Sequence, residues 1–425
     1  MQILVVGSGA REHALVRALT ADPEVGGVHA APGNPGIGGL AQLHDVDPVD
    51  PAAVAALALA LGVGLVVVGP EAPLVAGVAD AVRQAGVPCF GPSAAAARLE
   101  GSKAFAKEVM AAAGVPTAAS RTCDGLDQVA AALAEFGAPH VVKDDGLAAG
   151  KGVVVTDDAD AALAHARTCL DRPGARVVVE DYLDGPEVSL FVLCDGTHVV
   201  PLAPAQDFKR IGDGDTGPNT GGMGAYSPLP WAPEGLVDEV VTTVAQPTVD
   251  EMARRGTPFA GVLYCGLALT SRGLRVVEFN ARFGDPETQV VLPRLACGLG
   301  GLLLAAATGR LAAHPPLTWH DTAAVTVVVA SAGYPGAPRT GDPVTGTDDA
   351  ETVPGVHVLH AGTALRDGVL VSAGGRVLSV VGTGPDLTTA RAAAYTGVAK
   401  IGLAESQHRT DIATTASDRG LRTGT

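Results

Sequence analysis

Glu278 and Asn280 stand two residues apart at the end of Leu274–Asn280, an apolar run that predicts a strand. Side chains two apart on a strand share a face. A carboxylate beside an amide oxygen makes a pair of hard ligands, suited to Mg²⁺ bridging phosphates. Arg282-Phe-Gly-Asp-Pro-Glu287 follows at once, and an arginine there can take a carboxylate or phosphate through two donors. Alone, the Glu-x-Asn pair would suit a solvated strand end equally well, so its weight comes from the rest of the chain.

Lys143-Asp-Asp-Gly-Leu-Ala-Ala-Gly-Lys-Gly-Val-Val-Val155 has the look of a phosphate grip, with small residues, glycines and two lysines. It is not a P-loop. Gly146 and Gly150 have three residues between them, Lys151 is followed by Gly152 where Ser or Thr would bind the metal, and Val153–Val155 predicts a strand rather than a helix. Gly7-Ser-Gly9-Ala-Arg-Glu12 is a weak dinucleotide fingerprint. Glu12 takes the third glycine position, and the acid expected at the end of the second strand is missing from Val28-His-Ala-Ala-Pro32. What remains is a tight turn whose N–H groups, at a helix start, could hold one phosphate with help from Arg11. Asp215–Tyr226 is dense in glycine, which lets backbone approach a ligand closely, and Asp207, Lys209 and Arg210 stand just upstream. No Ser-His-Asp set, G-x-S-x-G elbow or metal-like histidine spacing is present.

The elements that must position these residues follow from apolar patterning. Strands at Ile3–Val6, Gly27–Ala30, Leu65–Val68 and Val87–Phe90 alternate with helices at Arg11–Thr20, Ala52–Leu61 and Val75–Ala85. That alternation predicts a doubly wound parallel sheet with ligands beyond the strands' carboxyl ends, where the glycine clusters lie. The uncharged run Ala52–Gly69 is long enough to raise a membrane span, but Gly62 and Gly64 divide it into helix and strand. From Ser102 the texture changes to a helix and then strands at Val141–Val142, Val153–Val155 and Val177–Glu180, followed by a long irregular segment, Asp207–Ser227. Past Thr322 a third unit has strands at Ala323–Ala330, His357–His360 and Arg376–Val381, with a hairpin turn expected at Gly374-Gly375 and a helix over Thr388–Ile401.

The 425 residues allow two to four domains, and 47% hydrophobic with 17% charged content fits a globular enzyme. A net charge of −16 argues against nucleic acid as a partner, though not against a small anion met by a local cluster of donors. Six scattered cysteines without a CxxC pair point to reduced thiols and a cytoplasmic setting, and the N-terminus lacks the basic region of a signal peptide.

The assembled motifs resemble the glycinamide ribonucleotide synthetases (phosphoribosylamine–glycine ligases) of the ATP-grasp superfamily. The matching stretches, in order, are Gly-Ser-Gly-Ala-Arg-Glu-His-Ala from Gly7, Ala-Pro-Gly-Asn from Ala31 and Val-Gly-Pro-Glu-Ala-Pro-Leu from Val68. Glu-Gly-Ser-Lys-Ala-Phe from Glu100 and Asp-Gly-Leu-Ala-Ala-Gly-Lys-Gly-Val from Asp145 come next. The two longest are Thr-Gly-Pro-Asn-Thr-Gly-Gly-Met-Gly-Ala-Tyr from Thr216 and Glu-Phe-Asn-Ala-Arg-Phe-Gly-Asp-Pro-Glu from Glu278, with Gly-Gly-Arg-Val-Leu from Gly374 a weaker match.

The resemblance implies an α/β fold with an N-terminal substrate-binding domain over 1–101, an ATP-grasp domain over 102–312 with a mobile lid at about 118–187, and a small α+β domain over 322–416. It implies ATP with Mg²⁺ or Mn²⁺, and a monomer joining glycine to 5-phosphoribosylamine through glycyl phosphate without nucleic acid or membrane. Lys103 and Lys143 would hold ATP phosphates, with Gly146, Gly150, Lys151 and Gly152 in the flap over them. Glu180, Asp181 and Leu183 would pair with adenine and Glu187 with the ribose. Glu278 and Asn280 would hold the metal, and Asp207, Lys209, Gly222 and Arg282 would contact glycine or the acyl phosphate. Gly7, Gly9, Arg11, Asn34 and Glu71 would bind phosphoribosylamine. The chain departs from the pattern at Asp144 (usually Ala), at Phe208 (often His) and in the short Leu170–Ala175, which lacks a Phe-Gly element. Asp145 is expected to order its own loop, and strand alternation predicts that Asp144 faces solvent and is nearly silent. The Thr216 run argues against other ligases and carboxylases of the superfamily, and the full set of lysines and metal ligands against a regulatory protein without turnover.

Overall fold

The computed structural model describes residues 1–147, 152–414 and 416. Five parallel strands open the chain, in the order Gln42–Leu43, Gly27–Pro32, Gln2–Gly7, Leu65–Val68, Cys89–Phe90. Alternate residues of the central strands feed different cores. Leu4, Val6, Val66 and Val68 pack into one, while Ile3, Val5, Leu65 and Val67 pack into the other. Burial on both faces explains why these strands read as continuous apolar runs. The uncharged stretch resolves as expected. Helix Pro51–Leu61 is capped by Asp50, which accepts from Ala52 and Ala53, and ends at left-handed Gly62 before the strand Leu65–Val68. Among the described residues no helix is long and apolar enough to cross a membrane. The single helix expected over Val75–Ala85 is two, Glu71–Val75 and Val78–Gln84, because Gly77 has φ +90° between them.

Two antiparallel sheets follow. One runs Val199–Pro201, Glu187–Asp195, Ala260–Thr270, Gly273–Asn280, with a register shift beside Gly266, the partner of Glu278. The other runs Ser120–Cys123, Val177–Glu180, His140–Asp144, Val153–Thr156. Helices Leu126–Phe136 and Ala159–Leu170 cover this second sheet and close a small core of its own around Val129, Leu133, Val142, Ala162 and Val179.

The last large sheet crosses the expected division of the chain. Its order is Gln206–Asp207, Gly224–Ser227, Ala323–Ala330, Arg376–Gly384, Val356–His360. The stretch expected to be irregular, Asp207–Ser227, therefore supplies two edge-side strands and, between them, a hairpin of Arg210–Gly212 with Thr216–Asn219. Its glycine and polar content hides the period-two signal, because backbone pairing rather than side-chain alternation holds it. The hairpin expected at Gly374-Gly375 is elsewhere. Strand Thr363–Arg366 pairs with Val369–Ser372 across Asp367 and Gly368, both at positive φ, while Gly374 and Gly375 link that hairpin to the larger sheet. Phe208, one of the departures, lies under the buried Arg409 guanidinium at 4.8 Å, and Arg409 also pairs with Asp215 and Asp411.

Candidate active site

A cavity of about 890 Å³ is lined by residues of the parallel sheet's loops, both four-stranded sheets and the last sheet. Strand Gly273–Asn280 brings Glu278 and Asn280 to its wall together. Burial pushes the Glu278 carboxyl up, but the surrounding Lys209, Lys143, Lys103 and Arg282 outweigh it and hold the group below its ordinary range. Glu278 is thus kept ionised by four cations. Gly266 faces it across the sheet, where a Cβ would come within 3.2 Å of the Glu278 Cγ. The absent side chain leaves the carboxylate room.

The two lysines reach the cavity from different elements. Lys103 opens helix Lys103–Ala113, and its Nζ donates to the Gly146 carbonyl at 3.0 Å. Burial lowers its pKa against the pull of Glu278. Lys143, on strand His140–Asp144, pairs with Glu180 at 2.9 Å and donates to the Val277 carbonyl at 3.2 Å. Glu180 is buried, and its other oxygen is 3.2 Å from Lys107. Lys107 was missed in the sequence, although it lies one turn beyond Lys103 on the same helix face. Asp181 and Leu183 line the cavity with Gly146 and Gly152, and Asp181 pairs with Arg272 at 2.7 Å. Gly150 and Lys151 lie outside the described residues.

Lys209 forms an ion pair with Glu187, and Asp207 lines the cavity with them. Burial pushes the Asp207 carboxyl up, Lys209 opposes this, and the like charges of Glu287, Glu187 and Glu278 reinforce it, to about 7. Glu287 was not singled out from the sequence. It is buried and accepts from Ser189 Oγ at 3.0 Å, and that hydroxyl is 2.9 Å from Tyr264 Oη. Arg282 lies between Glu71 at 3.2 Å and Glu100 at 3.1 Å, joining the parallel-sheet unit to the end of the Glu278 strand. Glu100 also accepts from the Ala281 N–H at 2.7 Å. Arg376, from the last sheet, donates to the carbonyls of Gly221 at 2.6 Å and Asp285 at 2.9 Å, and its other nitrogen pairs with the Asp285 carboxylate at 3.2 Å. Glu100, Asp285, Glu287 and Arg376 all fall inside or beside motifs the sequence displays, so position within those runs was the available signal.

Arg11 and Glu71 line the cavity, but Gly7, Gly9, Asn34 and Gly222 are not part of its lining. Each has close contacts of its own. Glu12 folds back over the turn and accepts from the Gly9 N–H at 2.6 Å. A Cβ at Gly7 would lie 2.6 Å from Glu12 Cγ. The turn thus carries its own carboxylate where an anion was expected, and Arg11 is drawn to Glu12 at 2.5 Å and to the Phe283 carbonyl at 3.1 Å. The Asn34 amide donates to the carbonyls of Ser8 and His360, both at 2.8 Å, and its oxygen accepts from Ile37 at 2.9 Å. Gly222 has φ +106°, and a Cβ there would meet Pro286 Cδ at 2.4 Å.

Two aspartates behave differently from expectation. Asp144 does point away from Lys143's face, but not into solvent. Its side chain is 12% exposed and both its oxygens lie 2.6–2.7 Å from Arg172 Nη2. Among the described residues Asp145 orders a neighbouring element, and residues 148–151 of its own loop lie outside them. It accepts from Ser102 Oγ at 3.0 Å and the Ala104 N–H at 2.9 Å, capping the helix that carries Lys103, and pairs with Arg176 at 2.7 Å.

Among the described residues no group of three or more His, Cys, Asp or Glu could hold a metal. Glu278 with Asn280 is one carboxylate and one amide oxygen, the kind of set that holds Mg²⁺ only with substrate phosphates and water completing the shell.

Three family models match consecutive parts of the chain: phosphoribosylglycinamide synthetase N domain over residues 1–100, its ATP-grasp (A) domain over 101–288 and its C domain over 324–415. A phosphoribosylamine–glycine ligase of Streptomyces coelicolor is 69% identical over 419 residues, covering 98% of this chain and all of that one. One from Mycobacterium tuberculosis is 58% identical over 424 residues, covering 98% and 99%. The crystal structure of a phosphoribosylamine–glycine ligase from Thermotoga maritima superposes with a TM-score of 0.84 at 31% identity, covering 97% of this chain and 100% of that one.

Proposed function

The chain belongs to the phosphoribosylglycinamide synthetase family and is an ATP-dependent ligase joining glycine to 5-phosphoribosylamine in purine biosynthesis, and we propose that it does so through glycyl phosphate formed beside Glu278. The observation that carries this reading is the convergence of Lys103, Lys143, Lys209 and Arg282 on Glu278 in one cavity. A carboxylate is a poor electrophile. Its oxygen must first take the γ-phosphoryl group of ATP, giving glycyl phosphate and ADP. The amine of phosphoribosylamine then attacks the carbonyl carbon, the C–N bond forms, the nitrogen loses a proton and phosphate leaves. Phosphoryl transfer needs positioning and charge neutralisation more than a protein nucleophile, and the cavity offers those.

Lys103 and Lys143 neutralise ATP phosphates, and the backbone at Gly146 and Gly152 borders them. Glu180–Leu183 faces the adenine, with Glu180 fixed between Lys107 and Lys143, and Glu187 is in place for the ribose. Glu278 and Asn280 would hold Mg²⁺ or Mn²⁺, which supplies charge neutralisation of the phosphates when bound. Lys209 and Arg282 stabilise the negative charge of the acyl phosphate. Asp207, with its pKa raised to about 7, can take the proton the attacking amine gives up. Arg11 and Glu71 hold the phosphoribosylamine side, with Gly7, Gly9, Asn34 and Gly222 shaping the loops behind. ADP release measured with ATP, Mg²⁺ and glycine, with and without freshly made phosphoribosylamine, tests the activity. Steady turnover is expected only with both co-substrates. ADP released at the same rate without glycine would overturn it.

A further inference from the structure

The strand carrying Lys143 ends in two acids, and both are held by one short loop. Arg172 takes both oxygens of Asp144, and four residues on Arg176 takes Asp145. The Asp145 N–H also donates to the Arg176 carbonyl at 3.0 Å, and the Asp144 N–H to the Gly152 carbonyl at 2.7 Å. The loop after helix Ala159–Leu170 thus meets the strand end where the chain departs toward Gly146, and the same strand end holds the chain returning at Gly152. The pairs differ in kind. Asp145 also caps the Lys103 helix, so its loss would disturb several elements. Among the described residues the Asp144 carboxylate pairs with Arg172 alone, and Arg172 is 62% exposed. Asp144 is not part of the cavity's lining, whereas its neighbour Lys143 is.

We propose that Asp144 and Arg172 are a positioning pair for ATP. Their contact fixes the end of the strand so that the Lys143 ammonium and the Gly146 backbone meet the phosphates in register. The inference rests on the reading that this cavity binds ATP through Lys143. A half-exposed pair adds little to global stability, yet a small displacement of a phosphate-binding lysine acts directly on nucleotide affinity.

The test is Arg172→Met, with Arg172→Lys and Asp144→Asn as companions, reading MgATP dissociation constants by calorimetry together with KM for ATP and for glycine. Arg172→Met should weaken MgATP about three- to tenfold while leaving kcat and the glycine KM within about twofold. Arg172→Lys should recover most of the loss. Affinity in the wild type should fall with added salt more steeply than in Arg172→Met, since the exposed partner is screened. MgATP affinity unchanged in Arg172→Met, or glycine and ATP constants rising together, would overturn the proposal. Should Asp144→Asn fold poorly, the exposed arginine variants still decide. A wild type that binds MgATP but makes no glycinamide product would instead refute the ligase mechanism, and calorimetry would still report on the pair.

Discussion

Glu278 is the residue on which the site's electrostatics converge. Its ionisation is secured by four cations from four separate stretches of the chain, and its neighbour Asn280 adds the second oxygen. Even outer-shell partners of a metal are worth about 10- to 100-fold, so Glu278→Ala should lower kcat beyond that range. A variant within tenfold of wild type would remove Glu278 from the metal site. Asp207 gives a different signature. Its pKa in the folded chain, about 7, lies above the ordinary 3.8, so the folded state binds the proton more tightly than the unfolded one. The stability this proton gives is present below about pH 4 and is lost as pH rises through about 7. In the ligand-free protein Asp207→Asn should therefore raise Tm by at least about 2 °C more at pH 8 than at pH 5, as read by calorimetry at both pH values. An equal change at both would show that Asp207 is not perturbed. That Glu278, Asn280, Lys103 and Lys143 belong together could be read in the sequence, because each sits in a short run with its own chemical logic, and all four line one cavity. The Lys107–Glu180 and Glu187–Lys209 pairs could not be, since their partners lie far apart in sequence and meet only when the elements pack.

Among the elements, four of the five strands of the parallel sheet could be read from apolar patterning, while the edge strand Gln42–Leu43 and the glycine-rich segment between Asp207 and Ser227 could not. Its conformation is set by backbone contacts that composition does not display. Gly222 shows the constraint: positive φ and the Pro286 ring together leave no room for a methyl group. Gly222→Ala should cost about 1–3 kcal/mol of stability and reduce turnover, measured by denaturant unfolding and initial rates. A variant as stable and active as wild type would show that this turn is free to relax. Asp144 was misread for a geometric reason. Alternation gives the face a residue points to, but not what covers that face. Here the cover is the short segment Leu170–Ala175, so two departures from the family pattern meet in one ion pair.

Across the whole molecule, three units were legible, but their boundaries are not boundaries of sheets. Strands Gln206–Asp207 and Gly224–Ser227 pair into the sheet completed by Ala323–Ala330, Arg376–Gly384 and Val356–His360. Arg376 then reaches back to Gly221 and Asp285 at the cavity. Ending the chain at residue 321 would leave Gly224–Ser227 without its main partner and expose Ala225 and Tyr226, which are now buried. Such a protein is expected to aggregate or to show no cooperative unfolding, whereas a soluble, cooperatively folded product would show that the first two units stand alone. At this same scale, the proposed chemistry depends on one event: a carboxylate oxygen of glycine must bond to the γ-phosphorus. With glycine labelled by ¹⁸O in its carboxylate, the phosphate released during turnover should carry one labelled oxygen, read by ³¹P NMR or mass spectrometry. Phosphate released without label during normal product formation would contradict the glycyl phosphate route.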